Sequence, residues 1–384
     1  MSPVIDCDQH LFEPRNMWVD YADPRDRDLA LQMIDDDAGH AWVTWRGKKI
    51  RLADATIPGE TTECGERLQR ALAGERPLVH YDDALPKAYW EPTARVADLD
   101  RMGIDEAFGF PNYALDWERE LAGDLHATKV NMAAWNRWAM TVAAEAPGRI
   151  HPVAHVTLAD LDWLDDQLAA ASAAGIKLAM FAPALVDGRR LSHPSLNRAW
   201  DSFVEHGITP VMHVANTERP FRDAWYENDP SPINPVLCSI FIWVPAALAL
   251  SDLILNGVFD RRPELRVGVV ELSAVWLTQY MAYLDGAVNF VGQLHGDGYP
   301  NLKLKASEYI KEHVRLAAFS YEYPQSLVPW VGDLFMCCSD YPHSEGSSSF
   351  LADYREKDEE AQPSKAPGLF GDNAAWLLGR GASV

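Results

Sequence analysis

Cysteine is scarce: five in 384 residues, with no Cys-x-x-Cys pair, which argues against a disulfide framework and against thiolate zinc sites. Cys7, Cys337 and Cys338 sit inside apolar runs and are expected as reduced core residues. Basic charge is also short. With 34 Lys and Arg against 56 Asp and Glu the chain carries a net −22, so nucleic acid and anionic membrane are poor partners. The acidic groups Asp35-Asp36-Asp37, Asp165-Asp166 and Asp358-Glu359-Glu360 read as solvated faces. Long apolar runs are missing too. The longest, Leu237 to Leu250, contains Pro245 and falls short of a bilayer span, so it is expected as a buried helix or a pocket wall. No secretory signal is legible around Met1-Ser2-Pro3, and the expected location is the cytoplasm. No glycine-rich phosphate turn follows an early strand, which disfavours an open dinucleotide-binding sheet.

Eight apolar runs of strand length are present: Val4 to His10, Ile104 to Phe110, Ile150 to Val156, Ile176 to Phe181, Ile208 to His213, Leu265 to Glu271, Val314 to Phe319 and Leu334 to Cys338. Amphipathic helices are expected between them, over Ala94 to Arg101, Leu121 to Glu145, Asp160 to Ala174, Ser195 to Glu205, Ala246 to Phe259 and Val275 to Val288. Gly or Pro punctuates most helix ends. Alternation of this kind predicts an α/β chain whose parallel strands close into a (β/α)8 TIM barrel, one domain over residues 1–384. Residues 30–92 break the alternation. They read as an insertion after strand one, with a β-hairpin from Ala41 to Leu52 turning at Arg46-Gly47-Lys48. Its aromatics, together with Tyr81, Tyr89 and Trp90, suit a lid over a pocket and suit equally a hairpin packed on the barrel's outside.

Chemistry in such a barrel gathers at the C-terminal ends of the strands. Asp8 and His10 are two residues apart in the first strand, so both side chains face one side, where a carboxylate and an imidazole make an ordinary ligand pair. His213, Glu271 and Asp340 each end an apolar run. Singly, each has a plainer reading: a hydrogen-bonded core histidine for His213, a helix cap for each acid. Together, on the strand ends of one barrel, they point to one metal centre.

Asp6-Cys7-Asp8-Gln9-His10-Leu11-Phe12-Glu13-Pro14, the His213 strand, Arg262-Pro263-Glu264-Leu265-Arg266 leading to Val270-Glu271 and Trp276, and Ser339-Asp340-Tyr341-Pro342-His343 resemble the amidohydrolase-related (amidohydrolase 2) barrels. The branch they are most similar to includes aminocarboxymuconate semialdehyde decarboxylase and γ-resorcylate decarboxylase. The resemblance implies one divalent ion, zinc first and manganese as the alternative, held by Asp8, His10, His213 and Asp340. It implies Glu13 and His343 behind these ligands, and a homodimer. One position departs from the pattern: the decarboxylases carry a catalytic histidine after strand six, where this chain has Glu271. Lys177, at the start of strand four, lies at the wrong end to bridge two metals. Barrel geometry offers His155, Phe181, Asn112, Arg219, Arg222 and Trp243 as candidate substrate contacts.

The leading expectation is a metal-dependent hydrolase acting on a small aromatic or apolar acid or amide. Asp340 takes the proton of an activated water and Glu271 returns one to the leaving group. The alternative is a non-oxidative decarboxylase in which Glu271 protonates carbon, and a third reading is a barrel that only binds its ligand.

Overall fold

The computed structural model describes residues 2–53, 69–214, 221, 223–225, 233–296, 300–343, 346, 349–360 and 366–381. Its eleven strands are β1 (Ile5–Leu11), β2 (Gln32–Asp35), β3 (Ala41–Trp45), β4 (Lys48–Leu52), β5 (Glu106–Pro111), β6 (Ile150–His155), β7 (Leu178–Phe181), β8 (Thr209–His213), β9 (Val267–Val270), β10 (Val314–Ala317) and β11 (Phe335–Met336). Eight of them form one sheet in the order β1-β5-β6-β7-β8-β9-β10-β11. Each neighbouring pair is parallel, as crossover helices between successive strands require. The segment that follows β11 closes the ring onto β1: Cys7 N donates to Cys337 O at 3.1 Å, Asp340 N to Asp8 O at 2.9 Å and His10 N to Tyr341 O at 2.7 Å. All eight expected barrel strands are present.

Inside the ring, Phe108, Phe110, Val153, Leu178, Met180, Val211, Val270 and Met336 make a closed apolar core. Trp376 and Leu377 join it from the Asp372–Leu377 helix. Thr209 Oγ1, at the first residue of β8, donates to Leu377 O at 2.7 Å, so this helix plugs the N-terminal end of the barrel. A larger apolar layer lies between the strands and the surrounding helices. With the N-terminal end plugged and the middle packed, the barrel interior opens toward the C-terminal ends of its strands.

Three helices differ from expectation, and the one predicted over Val275 to Val288 runs on to His295. The predicted Leu121 to Glu145 helix starts at Leu125, after a separate Ala114–Leu121 helix. Asp124 restarts the chain by accepting Ala127 N at 3.0 Å, satisfying a donor that an uncapped helix start would leave unpaired. The predicted Ala246 to Phe259 helix stops at Leu255, and a short Val258–Arg261 helix follows Gly257 (φ 65°). Within the insertion the hairpin is a three-stranded antiparallel sheet, β2-β3-β4. Arg46 (φ 49°) and Gly47 (φ 77°) form its two-residue turn, both in the left-handed region that such hairpins use. Ion pairs from Lys48 to Glu120, and from Arg46 to Asp124 at 3.4 Å, fasten this sheet to the helical segment after β5.

Candidate metal centre

Strand β1 carries the first two donors, and its backbone irregularity aims them. Ile5 and Cys7 point into the barrel core, so strict alternation would send Asp8 and His10 outward. The register with β5 slips between Asp6 and Gln9. The additional residue turns Asp8 and His10 inward, as a bulge does. Both are completely buried.

Four side chains present donor atoms to one point: Asp8, His10, His213 and Glu271, all within 4.8 Å of one another. His213 Nε2 lies 3.4 Å from Asp8 Oδ1 and 3.3 Å from Glu271 Oε2. His10 Nε2 lies 3.6 Å from Asp8 Oδ1, 3.9 Å from Glu271 Oε2 and 3.3 Å from Asp340 Oδ1. Asp340 joins through His10 and groups with His343, whose Nδ1 is 2.8 Å from Asp340 Oδ1. Of the expected ligands, Asp8, His10 and His213 therefore converge directly and Asp340 flanks them. Glu271, expected as an acid-base group, stands within donor distance.

The donor chemistry fits a divalent ion. Two donors each about 2.1 Å from an ion at tetrahedral angles are about 3.4 Å apart, close to the separations of Asp8 from His10 and His213 and of His10 from Asp340. The outer ring nitrogens are engaged: His10 Nδ1 with Pro111 O at 3.1 Å and His213 Nδ1 with Val214 O at 2.8 Å. A ring N–H must donate to each carbonyl, which leaves Nε2 as a lone pair facing the cluster. Burial pushes the His213 pKa down to about 4, and burial, with the charge of His343, lowers that of His10. Both rings are therefore neutral near pH 7, the form that ligates. His10 Nε2 and Asp340 Oδ2 are buried and make no hydrogen bond of normal geometry. An ion is the partner that such atoms lack.

Exposure divides the cluster. Asp8, His10, His213 and Asp340 are fully enclosed, whereas Glu271 is 17% and the His343 side chain 20% exposed. Glu271 (φ 53°) and Asp340 (φ 55°) both occupy the left-handed region, which costs a non-glycine residue about 1 kcal/mol or more. The loop after Glu271 is held by Glu322, which accepts Ser273 Oγ at 2.6 Å and Ala274 N at 2.8 Å. Glu322 is nearly buried and carries no mark in the sequence that links it to this loop.

A second buried carboxylate supports the ligands from behind. Asp6 accepts Ser339 Oγ at 2.5 Å, Ser339 N at 3.0 Å, Gln9 Nε2 at 2.8 Å and Asp8 N at 3.2 Å. It thus ties the bulge that aims Asp8 to the residue before Asp340. Gln9 Oε1 accepts Arg95 Nη1 at 3.0 Å, and Arg95 Nη2 donates to His10 O at 2.7 Å. Burial pushes the Asp6 carboxyl up to about 7, against the lowering effect of Ser339 and Gln9. Asp6→Ala is expected to destabilise the protein by about 3 kcal/mol, because it strands buried donors of Ser339 and Gln9. It should also weaken divalent-ion binding at least about tenfold, the scale of an outer-sphere change. Denaturation and metal titration read the two effects separately; unchanged ion affinity in the folded variant would deny Asp6 a role in positioning the ligands.

The other expected site residues are dispersed. Asn112 Oδ1 contacts His343 Nε2 at 2.9 Å and so holds that ring. Glu13, fully buried, accepts Tyr113 N at 3.1 Å and fixes the turn after β5. His155 ends β6, pairs through Nε2 with Glu118, and keeps a buried Nδ1 with no hydrogen bond. Phe181 packs outward against Trp200, ring centroids 5.7 Å apart, and lines a side cavity of about 510 Å³ with Glu118, Thr157 and Val186. Trp243 stacks on Trp276 at 5.6 Å. The Trp276 indole donates to Ser273 O at 2.8 Å, which places this aromatic pair beside the Glu271 loop. Lys177 directly precedes β7. Arg219 and Arg222 lie outside the described residues. Phe110, unmarked by the sequence reading, floors the cluster with its ring 4.3 Å from that of His213.

No family model and no curated protein matches the chain in sequence. Solved structures do match in fold. An amidohydrolase from Mycobacterium avium subsp. paratuberculosis superposes with a TM-score of 0.74 at 23% identity, covering 98% of this chain and 99% of that one. A 5-carboxyvanillate decarboxylase from Novosphingobium aromaticivorans, complexed with manganese and 4-hydroxy-3-methoxy-5-nitrobenzoic acid, gives 0.64 at 17% identity over 99% and 96%. A dihydroxybenzoic acid decarboxylase from Polaromonas sp. JS666, with bound manganese and 2-nitroresorcinol, gives 0.57 at 12% identity over 100% and 99%. At these identities the likeness is one of fold, and the fold is that of the amidohydrolase-type TIM barrels.

Proposed function

We propose, from a barrel fold shared with amidohydrolases and decarboxylases, that this chain is a metal-dependent hydrolase of a small, electrically neutral amide or ester. Asp8, His10, His213 and Asp340 hold one divalent ion. When bound, such an ion supplies Lewis acidity to a carbonyl and lowers the pKa of water. The observation that carries the reading is the division by exposure. Four donors are sealed from solvent, and the two titratable groups left open, Glu271 and His343, face the side from which a substrate enters. Asp340, whose carboxyl is held well below its usual range by His343 and His10 against the effect of burial, stays ionised and accepts the proton of the attacking water. Glu271 returns a proton to the leaving group. The stacked Trp243 and Trp276 rings, beside the Glu271 loop, would suit an apolar acyl or amine portion.

Charge favours a neutral substrate. Asp8 and Asp340 already balance the two charges of a divalent ion, so the centre offers no net positive charge to a substrate carboxylate. A decarboxylase is the second reading, favoured by the manganese and nitro-aromatic ligands named for two fold neighbours. There Glu271 protonates the carbon that loses carbon dioxide. Zinc suits the two imidazoles of the donor set, and manganese its carboxylates. Turnover of aromatic amides, esters and carboxylic acids by the metal-loaded chain in oxygen-18 water separates the readings. Label in the acid product is the expected result; carbon dioxide released without label would replace the hydrolase with the carboxy-lyase.

A further inference from the structure

We propose that a cavity beside the helix that plugs the barrel is a second binding site, taking a small carboxylate with an apolar body and anchored by Arg266. The cavity holds about 360 Å³, within the range of small-molecule sites. Its walls come from Thr209, the first residue of β8, from Pro263 to Arg266 just before β9, and from Trp376 of the Asp372–Leu377 helix. His213 and Glu271 stand at the other ends of the same two strands, so this cavity is separate from the metal centre.

Charge carries the argument. The guanidinium carbon of Arg266 lies 5.0 Å from the Trp376 ring centroid, and that of Arg315 lies 4.3 Å from the same indole. Two cations therefore share one ring. Neither forms an ion pair among the described residues. Arg315 directs Nε to Asn373 Oδ1 at 2.8 Å and Nη1 to Lys311 O at 3.0 Å. The partly buried Arg266 side chain makes no hydrogen bond among the described residues. Burial lowers the Arg266 pKa; burial, and then the charge of Arg266 against the pull of Asp333, pushes that of Arg315 down to about 10. A chain with 56 acids and 34 bases has carboxylates to spare, yet it leaves these two neighbouring cations without one. A bound anion relieves that repulsion.

The lining selects the anion. Phe203, Ile208 and Leu265 present apolar surface to the cavity, which suits an aromatic or branched body. Glu264 and Glu312 also line it, and they repel a dianion such as phosphate more strongly than a monoanion. A carboxylate matches the two parallel N–H bonds of a guanidinium. The Trp376 ring adds an indole N–H that is buried and makes no hydrogen bond.

4-Bromobenzoate is the probe, used in calorimetry of the full, metal-loaded chain and in bromine anomalous diffraction from soaked crystals. The expected result is saturable binding, weakened at least about tenfold in Arg266→Gln, the scale of a lost charge-assisted hydrogen bond. A bromine peak should stand in this cavity. 4-Bromobenzamide, of the same shape without the charge, and inorganic phosphate should each bind at least about tenfold more weakly. Arg266→Gln should keep its full divalent ion, which separates this test from that of the proposed function. No bromine peak in the cavity would overturn the proposal, wherever else the probe settled, and so would a peak without calorimetric binding, which marks binding at crystal concentration only. Equal binding of the amide, or of the acid by Arg266→Gln, would also overturn it, and phosphate binding more tightly than the acid would overturn the carboxylate class.

Discussion

His213→Ala is expected to strip the protein of its divalent ion and to reduce turnover to the uncatalysed background. His213 sits where β8 opens into the barrel mouth, is fully buried, and turns Nε2 toward Asp8 and Glu271 because Nδ1 is committed to Val214 O. Removing the ring takes away the nitrogen that faces two carboxylates and leaves like charges closer to each other than to any cation. The affinity loss should exceed the roughly 10–100-fold typical of residues behind the ligands. Asp340→Ala should behave alike, since Asp340 Oδ1 lies 3.3 Å from His10 Nε2 and its buried Oδ2 makes no hydrogen bond. Elemental analysis of the purified variants checks both. A variant that keeps a full ion would return His213 to the role of a hydrogen-bonded core histidine.

Glu271→Gln should give a different signature: kcat lower by about 10²–10⁴, the range for loss of a general acid, with ion content unchanged. Glutamine keeps the shape and the left-handed turn at the end of β9, so the change isolates the ionisable group. The prediction is demanding because Glu271 Oε2 stands 3.3 Å from His213 Nε2, near enough to ligate. If metal content falls together with kcat, Glu271 is a ligand and proton delivery passes to His343, the other open group. If neither falls, Glu271 is only part of the loop that Glu322 holds.

Much of this arrangement is legible in the sequence. The eight apolar runs, their punctuation by Gly and Pro, and polar residues at their C-terminal ends identify the barrel and four converging positions without any contact being known. The aim of the side chains is less legible. Asp8 and His10 share a face in any strand, but their pointing inward with Cys7 depends on a bulge that Asp6 stabilises through Ser339, more than 330 residues along the chain. No local pattern encodes that partner. Glu271 reads as an acid after a strand, and only its positive φ brings it to donor distance. Asn112 looks like a pocket residue, and it is the contact with His343 that gives it a supporting place. The long helix read from about Leu121 to Glu145 begins at Leu125 instead, because the capping carboxylate of Asp124 sets its start. Fold followed from periodicity, whereas the site's fine geometry follows from long-range hydrogen bonds.

Anomalous X-ray diffraction from crystals of the wild-type chain grown with zinc or manganese tests most directly for one ion among these buried side chains. A single peak per chain is expected, bounded by Asp8, His10, His213 and Asp340, with Glu271 and His343 on the open side. An absent peak, or one at another group of side chains, would contradict it.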